Sequence, residues 1–317
     1  MTKHCLLIIP KHFYSFQSQF KNNLENLNYS VTIANDEYPE NLFGLLLGKL
    51  RIPFIKKITY HRLKSEFIDS KKYDLVLIFK GRGINRKTIK TLSEICPKVI
   101  GYNWDSFNFN CSPLKWYKDV TSYYTFDYKD SFNYNIPLVE LFTAETIENF
   151  QKEVKYKFSA IFRNHSNRLK YLESVIRYFK IKQDDISIYI YEQNIFFMLL
   201  NFVRSPALYI KYRKKIHFKP LSYNKYLDAL KYSCYTIDYA HPKQTGLTMR
   251  CFESLKTKTK IITNNGYIYN SLYFNDLNPI VYNLKSKQNI KTLDFSVDES
   301  SFKIQRTIVD FLNEILK

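Results

Sequence analysis

The tightest constraint in this chain is a repeated alternation of short apolar runs, without strict polar-apolar alternation, with stretches of helical spacing. In the first half His4–Pro10, Ser30–Ala34, Tyr73–Lys80 and Lys98–Asn103 read as strands, and Tyr14–Leu27 and Arg86–Glu94 as helices. A strand that is apolar on both faces has to be covered on both, which indicates a parallel sheet flanked by helices. After a polar stretch near Thr146–Lys155 the pattern restarts. Lys157–Arg163, Ile186–Tyr191, Lys215–Phe218, Cys234–Tyr239 and Lys260–Thr263 are the expected strands, and Arg168–Phe179, Tyr223–Tyr232 and Leu247–Lys256 the expected helices. The 317 residues are enough for two such domains, each with its own core. They are expected over 1–147 and 153–300. A last helix, Ser301–Leu316, has apolar residues at 302, 304, 308, 311, 312 and 315 and is expected to cross back to the first domain.

Charge narrows the partners without choosing one. A net charge of +19, from 48 Lys and Arg against 29 Asp and Glu, favours phosphorylated ligands, anionic membrane surfaces or nucleic acid. Part of it has a plainer source, since the abundance of Lys, Asn, Ile, Tyr and Phe is what an AT-rich coding sequence yields. The five cysteines are widely spaced and form no Cys-x-x-Cys pair, so neither a disulfide framework nor a zinc site is indicated. Leu6–Pro10 is too short for the apolar region of a signal peptide, and the longest apolar run, Ile195–Val203, too short for a membrane span. The expected location is cytoplasmic. Two stretches, Asn41–Lys64 and Ile195–Lys215, set apolar residues beside basic ones, which suits peripheral contact with an anionic membrane as well as it suits ordinary core packing.

The most informative segment is Cys234–Asn265, a strand, a polar loop, a helix and a strand. Gly246, one of only seven glycines, stands where the loop meets the helix, a position that calls for close backbone approach or a positive φ. Amides in that first turn would suit a phosphate, with the hydroxyls of Thr245 and Thr248 nearby and Arg250 able to bond a diphosphate. Glu253, deeper in the helix, could accept from a ribose diol. On spacing alone these residues fit equally well as an ordinary cap, a solvated arginine and an exposed acid.

The ordered string His-Pro-Lys-Gln-Thr-Gly-Leu-Thr-Met-Arg at His241–Arg250, followed by Glu253 and a strand ending in Thr263-Asn264-Asn265, resembles the donor-site block of bacterial GT-B glycosyltransferases that build lipopolysaccharide core and capsular polysaccharide. The resemblance implies two Rossmann-like domains facing a cleft, with Glu253 on the ribose and Gln244, Thr245, Gly246, Leu247, Thr248 and Arg250 around the diphosphate. His241 would contact the sugar or diphosphate and is counted with the catalytic candidates. The wider retaining pattern has a second acid where this chain has Thr245, so a mechanism needing that carboxylate is in doubt.

In the first domain, strands ending in Trp104-Asp105-Ser106 and Phe126-Asp127 resemble the same family. Asp105 is the candidate general base and Trp104 a neighbour on the acceptor side, although Asp105 also fits as the cap of a turn. Lys80 and Gly81 follow another strand and are expected there too. Arg163, Asn164, Arg168 and Lys219 follow strands of the second domain and could neutralise a leaving diphosphate without a metal; there is no Asp-x-Asp tripeptide, and neither metal nor other cofactor is expected. The leading expectation is transfer of a sugar from a nucleotide sugar to a glycan or glycolipid acceptor. The alternatives are a nucleic-acid-binding protein using its 27 Tyr and 25 Phe for stacking, which lacks any recognition motif, and a catalytically inactive glycan-binding relative.

Overall fold

The structure is a computed structural model and describes residues 2–11, 16–40, 54–69, 71–143, 152–275, 277–283, 293–296, 302 and 306–317. The chain divides into two compact units. The first comprises Met1–Ala144, Pro242–Gly246 and Thr307–Lys317, and the second Glu145–His241 and Leu247–Arg306.

The first unit holds β1 (Lys3–Ile8), β2 (Tyr29–Ala34), β3 (Leu75–Phe79), β4 (Val99–Asn103) and β5 (Ser122–Thr125), in the order β2-β1-β3-β4-β5. Every pairing is parallel, with Cys5 in register with Val31 on one side and Leu75 on the other. All five residues of β3, an unbroken apolar run, are buried, and so are all five of β4, the polar Asn103 at its end included. Covering the sheet are α1 (Phe16–Asn26), α2 (Phe54–Leu63), α3 (Arg86–Ile95) and α4 (Tyr128–Tyr134). The C-terminal helix, Ile308–Ile315, belongs to this unit. It begins at Ile308, later than the apolar spacing suggests, because Thr307 and Asp310 form a capping box that sets its first turn. Its Phe311 sits 4.7 Å from the Phe142 ring and 4.8 Å from Tyr102, ring centre to ring centre.

Trp104 is part of that same aromatic cluster, 5.5 Å from Phe142 and 5.2 Å from Phe16. At 7% exposure it is core, which corrects its expected place on an acceptor surface. Half of the Asn41–Lys64 stretch, residues 41–53, lies outside the described residues. The other half, α2, buries Ile55, Thr59, Tyr60 and Leu63 and leaves Phe54 exposed, so its apolar side packs inward on the core.

The second unit holds β6 (Tyr156–Arg163), β7 (Ile186–Tyr191), β8 (Ile216–His217), β9 (Ser233–Ile237), β10 (Lys260–Thr263) and β11 (Ile280–Val281). The order β11-β10-β9-β6-β7-β8 is again parallel throughout. Its helices are α5 (Arg168–Tyr178), α6 (Ile195–Arg204), α7 (Pro206–Tyr212), α8 (Tyr223–Lys231) and α9 (Met249–Lys256). The chain winds outward from β6 to one edge and then from β9 to the other, so the strand order reverses between β6 and β9. In the first unit it reverses between β1 and β3. Open parallel sheets bind ligands at such reversals, beyond the carboxyl ends of the strands. Among the described residues no helix is long and apolar enough to cross a membrane.

Candidate functional site

At the reversal of the second sheet, β6 ends at Arg163 and the chain runs through Asn164, His165, Ser166 and Asn167 into α5. Ser166 takes a left-handed φ of 59°, which turns the chain sharply enough to start the helix at once. The Asn164 side chain donates to the buried Glu192 carboxylate at 2.7 Å and reaches the Tyr209 hydroxyl, fixing the base of the turn. Asn167, at the N-cap of α5, makes no side-chain capping bond. The helix therefore opens with its positive end uncapped by a side chain.

Four nitrogen-bearing side chains gather at this turn. His165 has its pKa pushed down to about 3, first by burial and then by the positive charges of Arg168, Arg163 and His241. No carboxylate is among the groups that move it. Arg168 donates to the Arg163 carbonyl at 3.3 Å, and Arg163 reaches the Gln193 side chain. The arrangement is a basic turn at a helix N-terminus, suited to a phosphate or diphosphate. Arg163, Arg168 and His241 are thus brought together. His165, which spacing alone passed over, joins them; the signal was its place between two arginines directly after the first strand of the second domain. Lys219 is not brought in. It follows β8, two strands from β6 and so on the order of 10 Å away, and is exposed, with its carbonyl taken by the Tyr189 hydroxyl at 2.6 Å.

The helix α9 is anchored by buried polar pairs. Asp238, just past β9, is fully buried and its Oδ1 accepts from Thr248 Oγ1 at 2.9 Å and from Arg250 Nη1 at 3.2 Å. Arg250 also donates to the Ile161 carbonyl. Burial opposes its charge, but Tyr226, Asp238 and Glu253 outweigh that and hold it protonated. Glu253, 6% exposed, accepts from the Tyr226 hydroxyl at 2.5 Å. Burial pushes its pKa up, against the bond from Tyr226 and the charge of Arg250. Leu247 is core. Thr248 and Arg250, expected on a diphosphate, are thus committed to Asp238, a residue whose role no spacing rule exposed.

The loop before this helix corrects the expectation more sharply. Pro242–Gly246 belongs to the first unit. Asp127, 1% exposed, accepts from the amides of Thr245 at 2.5 Å and Gly246 at 3.3 Å, and from Thr245 Oγ1 at 2.7 Å. It also caps α4 through the amides of Lys129 and Asp130. The amides assigned to a phosphate are therefore spent on a carboxylate of this chain. Gly246 has no left-handed φ; its need is for space, since a Cβ there would lie 2.3 Å from the Phe126 ring.

At the reversal of the first sheet, Lys80 and Gly81 both have left-handed φ, 63° and 58°, and a Cβ on Gly81 would lie 2.6 Å from Trp116. The turn aims Lys80 and Arg82 at Asp105, whose Oδ2 lies 3.5 Å from Lys80 Nζ and 3.2 Å from Arg82 Nη2. Its Oδ1 accepts from Gln244 Nε2 at 3.2 Å. Asp36, buried, accepts from the Arg82 amide at 3.1 Å. Burial lowers the Lys80 pKa, with Asp105 opposing, and raises that of Asp36. Asp105, expected as a general base waiting on substrate, is instead the hub of this ion-paired cluster.

No family model and no curated protein matches the sequence. Solved structures do match the fold. An Anabaena protein, HepE, crystallised with UDP and glucose, is 8% identical, with 98% of this chain and 90% of that one covered at a TM-score of 0.55. TarM is 10% identical, 89% of each chain covered, at 0.54. A glycosyltransferase from Rickettsia africae is 12% identical, covering 90% of this chain and 85% of that one, at 0.51. The fold is that of the two-domain GT-B glycosyltransferases.

Proposed function

We propose that the chain is a glycosyltransferase that moves a sugar from a nucleotide sugar to a hydroxyl of a surface glycan, of lipopolysaccharide or capsule type. The observation that carries the reading is the convergence of Arg163, His165, Arg168 and His241 at the open end of α5, where β6 and β9 diverge. A diphosphate there meets positive charge from side chains and a helix dipole together. The UDP and glucose bound to HepE make a uridine diphosphate sugar the first donor to try.

In this reading the bond between the anomeric carbon and the phosphate oxygen breaks as the acceptor oxygen bonds to that carbon. The cationic side chains stabilise the charge that builds on the departing diphosphate, which is what a divalent ion does in metal-dependent transferases. The acceptor proton passes to the departing phosphate or to a base. Glu253, placed by its resemblance on the ribose, is held for that task by Tyr226. Asp105 serves the acceptor side by positioning Lys80 and Arg82. Such a protein works on the cytoplasmic face, where nucleotide sugars are made.

The test is a thermal-shift panel of nucleoside diphosphates and their sugar derivatives on the wild type and Glu253→Ala. One base should stabilise the wild type, by about 2.7 kcal/mol at a hundredfold excess over Kd, and the variant less. No response to any nucleotide, with tight salt-sensitive binding to oligonucleotides, would replace the reading with the nucleic-acid one.

A further inference from the structure

The helix α6 has no buried residue although eight of its ten side chains are apolar. Asn194 caps its first turn, accepting from the Phe197 amide at 3.0 Å, and Asn201 leans on Glu192 at 3.4 Å. Those contacts, with half-buried Phe197 and Met198, define an inward side. At 3.6 residues per turn the opposite side carries Ile195, Phe196, Leu199 and Val203, which are 64%, 62%, 53% and 77% exposed. Ile210 of α7 adds to it at 59%. A continuous apolar face of this kind is unusual on a protein that meets only water.

Its charge surroundings say what it meets. From Gln193 to Leu227 there are seven Lys and Arg and no Asp or Glu. Lys211 is committed to Glu173, 2.7 Å away. Arg204 at the end of α6 and Arg213, Lys214 and Lys215 directly after α7 are all exposed. A second copy of the chain would bring this same positive charge against itself, whereas an anionic lipid surface complements both the apolar side chains and the rim. We infer that α6 and α7 form a membrane-docking element, with the α6 face sunk into the interface and the basic residues on lipid phosphates. The inference stands apart from the transfer reaction, because it needs neither nucleotide nor acceptor.

Flotation of the full chain with vesicles of phosphatidylglycerol and phosphatidylcholine, or of phosphatidylcholine alone, reads it directly. Binding should require the anionic lipid. It should fall at least tenfold in Phe196→Asp/Val203→Asp, two exposed positions whose replacement leaves the far-UV circular dichroism unchanged. Arg213→Glu/Lys214→Glu, which keeps the apolar face, should weaken it and flatten its salt dependence. Equal binding to both vesicle types, or equal binding by the Asp variant, overturns the inference. So does a wild-type dimer that the Asp variant converts to monomer without any vesicle binding, which would make the face a self-association surface.

Discussion

The two sheets present opposite electrostatic solutions at equivalent places. Where the first reverses its strand order, Lys80 and Arg82 are matched by Asp105, and Asp36 takes the backbone of Arg82. Where the second reverses, His165 feels Arg163, Arg168 and His241, with no carboxylate among the influences on it. A cluster that carries its own counterions is finished when the chain folds. At the second, Arg163 and Arg168 stand at a first turn of α5 that no side chain caps, and the proposed donor phosphate is assigned there for that reason.

The comparison breaks most visibly through stability. Asp105→Ala leaves Lys80 with its counterion gone in a mostly buried position and should cost about 3 kcal/mol, read as a lower thermal midpoint. Arg163→Ala/Arg168→Ala should leave that midpoint close to wild type and abolish most nucleotide binding, each arginine contributing roughly 1.5–3 kcal/mol to the anion, measured by calorimetry. If the arginine variant is the unstable one, the contrast between the two sites is wrong.

A smaller effect concerns the loop that the first unit claims. Gly246→Ala places a methyl against Phe126 and should cost about 1–3 kcal/mol, with nucleotide affinity changing less than in the arginine variant. The gentlest probe is pH. His165 titrates near 3 when folded and near 6.5 when unfolded. The unfolded state therefore binds the extra proton between those values, so His165 subtracts stability as pH falls through that window and contributes nothing to pH dependence above it. His165→Gln should flatten that part of the acid limb. A bound diphosphate should pull the His165 pKa upward, visible in the imidazole carbon shifts by NMR; an unmoved titration would place the anion elsewhere.

Much of the architecture was legible because a buried parallel strand writes itself as a short apolar run: Leu75–Phe79 is five apolar residues in a row, too few for a helix of ordinary length. The site was legible only in part. Arg163 could be placed because it follows a strand, and a strand end has a fixed position in the fold. Thr245 and Gly246 could not, because their partner Asp127 lies 118 and 119 residues away and no local spacing encodes it. Trp104 misled for a related reason. A strand end shows which residues leave the sheet, but the side each takes depends on Phe142 and Phe311, which arrive from distant helices and loops.

The Asp127 knot bears on how such a protein could be re-engineered. Exchanging donor segments with a relative by a single crossover anywhere from Tyr128 to Gln244 would take Phe126 and the Asp127 carboxylate from one parent, and the residues standing for the Thr245 hydroxyl and the side-chain-free Gly246 from the other. A recombinant that keeps only half of the set loses the hydroxyl bond to a buried carboxylate or sets a Cβ against the Phe126 ring, so the two stretches are heritable as a unit although the sequence writes them far apart.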